Sequence, residues 1–140
     1  LWYAVESIPD EELWEAHIKA KKEFIELIKR KIKERNKRLG IDEPIPDIDE
    51  NALIIGFARR FATYKRATLI LSDLERLRRI LNNPEKPVYI IFGGKAHPMD
   101  KAGKEFLKRV YEISQMPEFK NKIIIFENYD MGSARAMVAG

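Results

Sequence analysis

Four cationic side chains, Arg59, Arg60, Lys65 and Arg66, fall within eight residues of the stretch IIGFARRFATYKRATLIL. They follow an apolar run that ends at Gly56 and precede an apolar pattern with helical spacing. Arginine offers a phosphate group a planar fork of donors, and lysine offers it a point charge. Helix N-termini also hold anions, because free N–H groups and the helix dipole converge there. The spacing predicts a continuous helix over residues 64–81, with Ala67, Ile70, Leu74, Leu77 and Leu81 on one face. Lys65 and Arg66 then sit in its first turn, where cations oppose the dipole by about 0.3–1 kcal/mol unless an anion relieves them. Two readings follow. Either the cluster holds an anion, or its cations reach solvent or pair with acids such as Glu127 and Asp130. Gly56 could permit close backbone approach or serve packing alone.

A second loop, FGGKAHP, is glycine-rich after an apolar run and exposes Lys95 on a tight turn. It matches neither the dinucleotide fingerprint nor the Walker phosphate loop. His97 precedes a proline and either offers a hydrogen bond or fixes the loop. The other histidine, His17, falls on a different element, so no metal site is expected. Tyr129, in the segment ENYD, either offers a polar end and a ring that stacks, or is a buried structural tyrosine. There is no G-x-S-x-G elbow and no cysteine nucleophile. Asp47, Asp49 and Glu50 read as surface charge.

These loops need elements to hold them. Residues 10–38 predict one long amphipathic helix, with acids at its start and Trp14, Ile18, Ile25, Ile28, Ile32 and Leu39 on one face. Its basic end suits the dipole as a solvated face, and Gly40 stops it. Residues 44–51 carry two prolines and read as a linker. Apolar runs at 52–57, 87–92 and 122–126 are candidate buried strands. Pro98, Met99 and Asp100 open a further helix with Ala102, Phe106, Val110 and Ile113 on one face, and residues 131–138 form a short one. The fold class is therefore α/β: a Rossmann-like βαβαβα half with a parallel sheet, preceded by one long helix. The expected organisation is a single truncated domain: a helical segment at 1–43, a linker at 44–51 and the βαβαβα unit at 52–140. Crossovers should be right-handed, and ligands should sit at the C-terminal edge, where the loops after all three strands converge.

Composition narrows the classes. A chain of 140 residues with 45% hydrophobic and 34% charged residues makes one globular domain. A net charge of +4 is too small to argue for nucleic acid, and no apolar run is long enough to span a membrane. The absence of cysteine suits a reducing compartment, and the Lys, Arg, Glu and Ile content resembles that of heat-adapted proteins. Both ends look cut from a longer chain.

GFARRFATYKRATLIL, IIFGGKAHPMDKAGKEFL and IIIFENYDMGSARAMVAG closely resemble successive motifs of the α-glucan phosphorylases, which act on glycogen, starch and maltodextrin. PDEELWEAH resembles the helix that precedes them in the shorter prokaryotic type. The resemblance implies the first half of the C-terminal domain of a GT-B arrangement. It implies cleavage of a terminal α-1,4-linked glucose by inorganic phosphate to give glucose 1-phosphate, with pyridoxal phosphate as cofactor. Arg60 and Lys65 fall on the residues that hold the substrate phosphate and stabilise its charge, with Arg59 as support. Tyr129 falls near the cofactor phosphate, and Lys95 on a loop facing the cleft. The lysine that forms the Schiff base should follow Gly140, and the N-terminal domain is absent, so this chain alone is expected to be inactive. The resemblance implies a cytoplasmic enzyme, with a homodimer as one assembly open to it, and no nucleic-acid or membrane partner. The alternatives are a GT-B glycogen or starch synthase using a nucleotide sugar, and a non-catalytic Rossmann-like binding module.

Overall fold

The computed structural model describes residues 2–140. A 3-10 segment at Trp2–Ser7 leads into helix α1, Asp10–Leu39. Asp10, Glu11 and Glu12 occupy its positive end, and Gly40 closes it in the left-handed conformation, its N–H donating to the carbonyls of Asn36 and Lys37. The buried stripe is Phe24, Ile25, Ile28 and Ile32, joined by Lys21 and Asn36. The expected face extends further than the packed one: Trp14 is 58% exposed and Leu39 is 49% exposed. Trp14 lies against His17, with ring centroids 5.4 Å apart and planes tilted by 44°.

The sheet has three parallel strands in the order β1 (Leu53–Ala58), β2 (Val88–Gly93), β3 (Ile123–Phe126), with Ile55 opposite Ile90 and Phe92 opposite Ile125. Side chains of β2 alternate between two cores. Val88, Ile90 and Phe92 pack with Leu77 and Leu81 of helix α2 (Leu74–Leu81) and with Val110 and Ile113 of helix α3 (Lys101–Ser114). Tyr89 and Ile91 pack with α1, and Met137 of helix α4 (Met131–Ala139) lies against that same cluster. Both crossovers step in one direction across one face, so they share one hand. A fully buried apolar side chain contributes about 1.5–3 kcal/mol. That makes β2, buried along its whole length, the strand that anchors the sheet. β1 is not the buried strand expected from its apolar run. It is an edge, with Leu53 58% and Ile55 38% exposed.

Two more expectations are corrected. Residues 64–81 are not one helix. They form 3-10 turns at Thr63–Lys65 and Leu69–Leu71, and α2 starts only at Leu74. Arg66 turns the chain with φ 53°, and the Asp73 carboxylate caps α2 by accepting from the Arg76 N–H. In α3 the inward-facing residue of the first turn is Gly103, while Ala102 is exposed. The segment at 44–51, expected as a linker, carries no helix or strand and is held against α1. Asn36 Nδ2 donates to the Glu43 carbonyl at 2.9 Å, Ile48 is buried, and Lys22 and Lys29 of α1 pair with Glu50 and Asp47. These exposed pairs orient the segment but contribute only about 0–1 kcal/mol each.

Candidate functional site

The site is built on a continuation of the β1–β2 pairing beyond the strand ends. Arg59 N–H donates to the Gly93 carbonyl and Phe61 N–H to the Lys95 carbonyl, each at 3.1 Å. Phe61 bridges Ala96 and is buried, its ring 5.8 Å from that of Phe57 and 6.3 Å from that of Phe92. Arg60 lies between these two pinned residues with its side chain exposed. Such an anchor fixes the backbone under Arg60 while leaving the guanidinium free to meet a ligand. Sequence reading missed Phe61. Its signal was a large aromatic placed between charged residues.

Gly94 is the glycine that the backbone requires. Its φ is 150°, and a Cβ there would stand 2.0 Å from the Arg59 carbonyl oxygen. Gly56 has a milder role: a Cβ there would meet only the Met137 Cε at 3.3 Å, so it serves packing against α4. Of the two readings offered for Gly56, packing is the one the structure contains.

Lys65 ends the 3-10 turn at Thr63–Lys65, with its ammonium 4.6 Å from the Tyr64 ring centroid. Tyr64 itself is 72% exposed, so it does not pack as a helix residue. Because α2 begins at Leu74, the helix-dipole argument for Lys65 and Arg66 does not apply. The charge argument stands on different ground. Among the described residues, Arg59, Arg60, Lys65, Arg66 and Lys95 form no ion pair. The two acids offered as partners are engaged elsewhere. Glu127 pairs with Arg38 at the end of α1. Asp130 caps α4, accepting from the Ser133 N–H at 2.8 Å, and this bond holds its carboxyl below the usual range. The basic end of α1 is thus more than a solvated face, since Arg38 ties it to the loop after β3.

Lys95 is exposed beside a groove of about 870 Å³ whose lining includes Arg38, Lys104, Leu107, Tyr111 and Glu127. His97 fixes its own loop, its Nδ1 accepting from the Met99 N–H at 3.1 Å. Tyr129 is half-buried, and its ring packs against Gly93, where a Cβ would lie 2.8 Å from Cδ2. The loops carrying Arg60 and Lys95 are therefore hydrogen-bonded to one another, and Tyr129 rests on the last residue of β2 between them and β3. Among the described residues no group of three or more His, Asp or Glu side chains could hold a metal ion, and no helix is long and apolar enough to cross a membrane.

Comparison with known proteins adds sequence similarity along the whole chain. It is 86% identical over 140 residues to a maltodextrin phosphorylase of Thermococcus litoralis, covering 100% of this chain and 17% of that protein. It is 45% identical over 145 residues to a glycogen phosphorylase of Aquifex aeolicus, covering 21% of it. A glycogen phosphorylase of Mycobacterium bovis is 42% identical over 92 residues, or 66% of this chain. No family model matches. The chain thus spans about a sixth to a fifth of the length of the first two relatives.

Proposed function

The chain is homologous along its whole length to one segment of the maltodextrin and glycogen phosphorylases, and we propose that it supplies that segment's share of the reaction: holding the inorganic phosphate that cleaves a terminal α-1,4-linked glucose. The observation that carries this reading is the set of cations that have no carboxylate partner among the described residues, at the C-terminal edge of a parallel sheet, the edge where such sheets take their ligands. Arg60 grips two phosphate oxygens with its fork, and Lys65 places a point charge beside them. Both stabilise negative charge that builds between the phosphate and the departing glucosyl oxygen, and such fixed charge in a closed site lowers a barrier efficiently. Arg59 supports them, and Lys95 faces the cleft from the neighbouring loop.

These cations, without ion pairs among the described residues, also fit a cofactor with a phosphate group. Pyridoxal phosphate, when bound, supplies a phosphate that exchanges a proton with the substrate phosphate. Tyr129, seated on Gly93, would lie near it. No lysine of this chain is assigned to the Schiff base. In this reading residues 52–140 are the first half of a GT-B C-terminal domain, the products are glucose 1-phosphate and a shortened α-1,4-glucan, and the working enzyme is a cytoplasmic homodimer.

The test is a chimera. This sequence replaces the aligned segment of the Thermococcus litoralis enzyme, and glucose 1-phosphate release from maltodextrin is measured with and without phosphate. Phosphate-dependent release is expected from the chimera and none from the 140-residue chain alone. A folded chimera without release, or release by the chain alone, overturns the proposal.

A further inference from the structure

The two residues that flank Arg60 share a feature that Arg60 lacks. Each presents its carbonyl oxygen to a glycine so closely that no other residue could stand there. The Arg59 oxygen lies 2.0 Å from where a Cβ of Gly94 would be, and the Phe61 oxygen 2.1 Å from where a Cβ of Gly103 would be. Real Cβ atoms do not approach oxygen so closely, so any side chain at either place must push the carbonyl away. The N–H groups of the same two residues are hydrogen-bonded to the Gly93 and Lys95 carbonyls. The backbone on both sides of Arg60 is thus bonded through its N–H groups and walled through its carbonyls.

We infer that Gly94 and Gly103 are positioning residues that fix the backbone from which the Arg60 side chain reaches the phosphate. This rests on the reading of Arg60 as a phosphate ligand. Gly103 is the more informative of the two. It lies in the first turn of α3, where glycine weakens a helix and alanine would strengthen it. Its presence therefore serves the close contact with Phe61 and leaves room for the capping carboxylate of Asp100, whose Oδ2 would lie 2.9 Å from a Cβ there. Asp100 sets the position of that turn, its Oδ1 accepting from the Gly103 N–H at 2.8 Å. Arg60 touches the substrate, whereas Gly103 and Asp100 act on it through the chain.

The test uses the chimeric enzyme. Gly103→Ala should raise the KM for phosphate about tenfold while the KM for maltodextrin stays near native, with a lowered melting temperature because the Phe61 carbonyl must move. Asp100→Ala should shift the phosphate KM in the same direction by a smaller factor, and Asp100→Asn, which can still cap the turn, should restore it. Arg60→Ala is the control for the underlying reading. If it leaves phosphate dependence unchanged, the phosphate site itself is wrong, whatever Gly103→Ala does. If Arg60→Ala impairs phosphate use and Gly103→Ala does not, the positioning inference alone fails. A comparable rise in both KM values marks a general structural role and also overturns it. Should Gly103→Ala not fold, the Asp100 pair decides: equal phosphate KM values for Asp100→Ala and Asp100→Asn reject the inference.

Discussion

The ring of Tyr129 rests on Gly93, with only 2.8 Å between Cδ2 and the place a Cβ would take. The loop after β3 is thereby seated on the end of β2. This contact separates packing from chemistry at Tyr129. Tyr129→Phe keeps the ring and should leave the melting temperature of the chain unchanged, yet lower turnover in the chimeric enzyme. Tyr129→Ala removes the contact and should cost about 1–2 kcal/mol, less than the ~3–5 of a fully buried aromatic. Thermal unfolding and steady-state rates read the two effects. Equal turnover for the native residue and Phe would remove Tyr129 from the proposed chemistry.

Two glycines with positive φ should respond differently to alanine. Gly40 has φ 65° and open space around it, so Gly40→Ala should cost only the left-handed conformation, about 1–2 kcal/mol. Gly94 meets the Arg59 carbonyl as well, and Gly94→Ala should cost about 3 kcal/mol or more. Urea denaturation of the two variants gives the comparison, and equal losses would contradict the close approach.

Lys21 is buried, and its ammonium donates to the Ala52 carbonyl at the entrance to β1. Burial lowers its pKa from the ordinary 10.5, and the nearby Asp49 charge opposes that shift. Between the folded value and 10.5 the unfolded chain binds more protons, so stability from this group rises with pH there. The native chain should therefore gain stability relative to Lys21→Met as the pH is raised from neutral towards 10.5. A difference that does not vary with pH, followed by denaturant unfolding, would rule this out.

Much of the architecture was legible because strand and helix periods differ. Ile90 and Ile91 face opposite cores yet are both apolar, which marks a strand covered on both sides. The same logic misplaced β1, since an apolar run looks alike at the centre and the edge of a sheet. The helix over 64–81 failed for another reason. Its apolar spacing survives a break at Arg66, because Ala67, in the turn between the two 3-10 segments, and Leu71, in the second of them, are buried as well as they would be from a helix. Asp73 was the readable stop signal, an N-cap residue directly before Leu74. At the candidate site, residue type pointed to Arg60, Lys65 and Lys95. The anchors Phe61, Gly94 and Gly103 depend on the approach of two loops remote in sequence, and no local pattern reports that.

The central claim is that the cations after β1 hold phosphate, and the most direct test is kcat/KM for phosphate in the chimeric enzyme with Arg60→Ala and, separately, Lys65→Ala. Loss of a preorganised charge contact of this kind lowers rates about 10²–10³-fold. Both side chains lack ion pairs among the described residues, so the melting temperature should hold. That fall with the fold intact is the predicted result. A kcat/KM for phosphate within about twofold of the unsubstituted chimera, for either variant, would contradict the account.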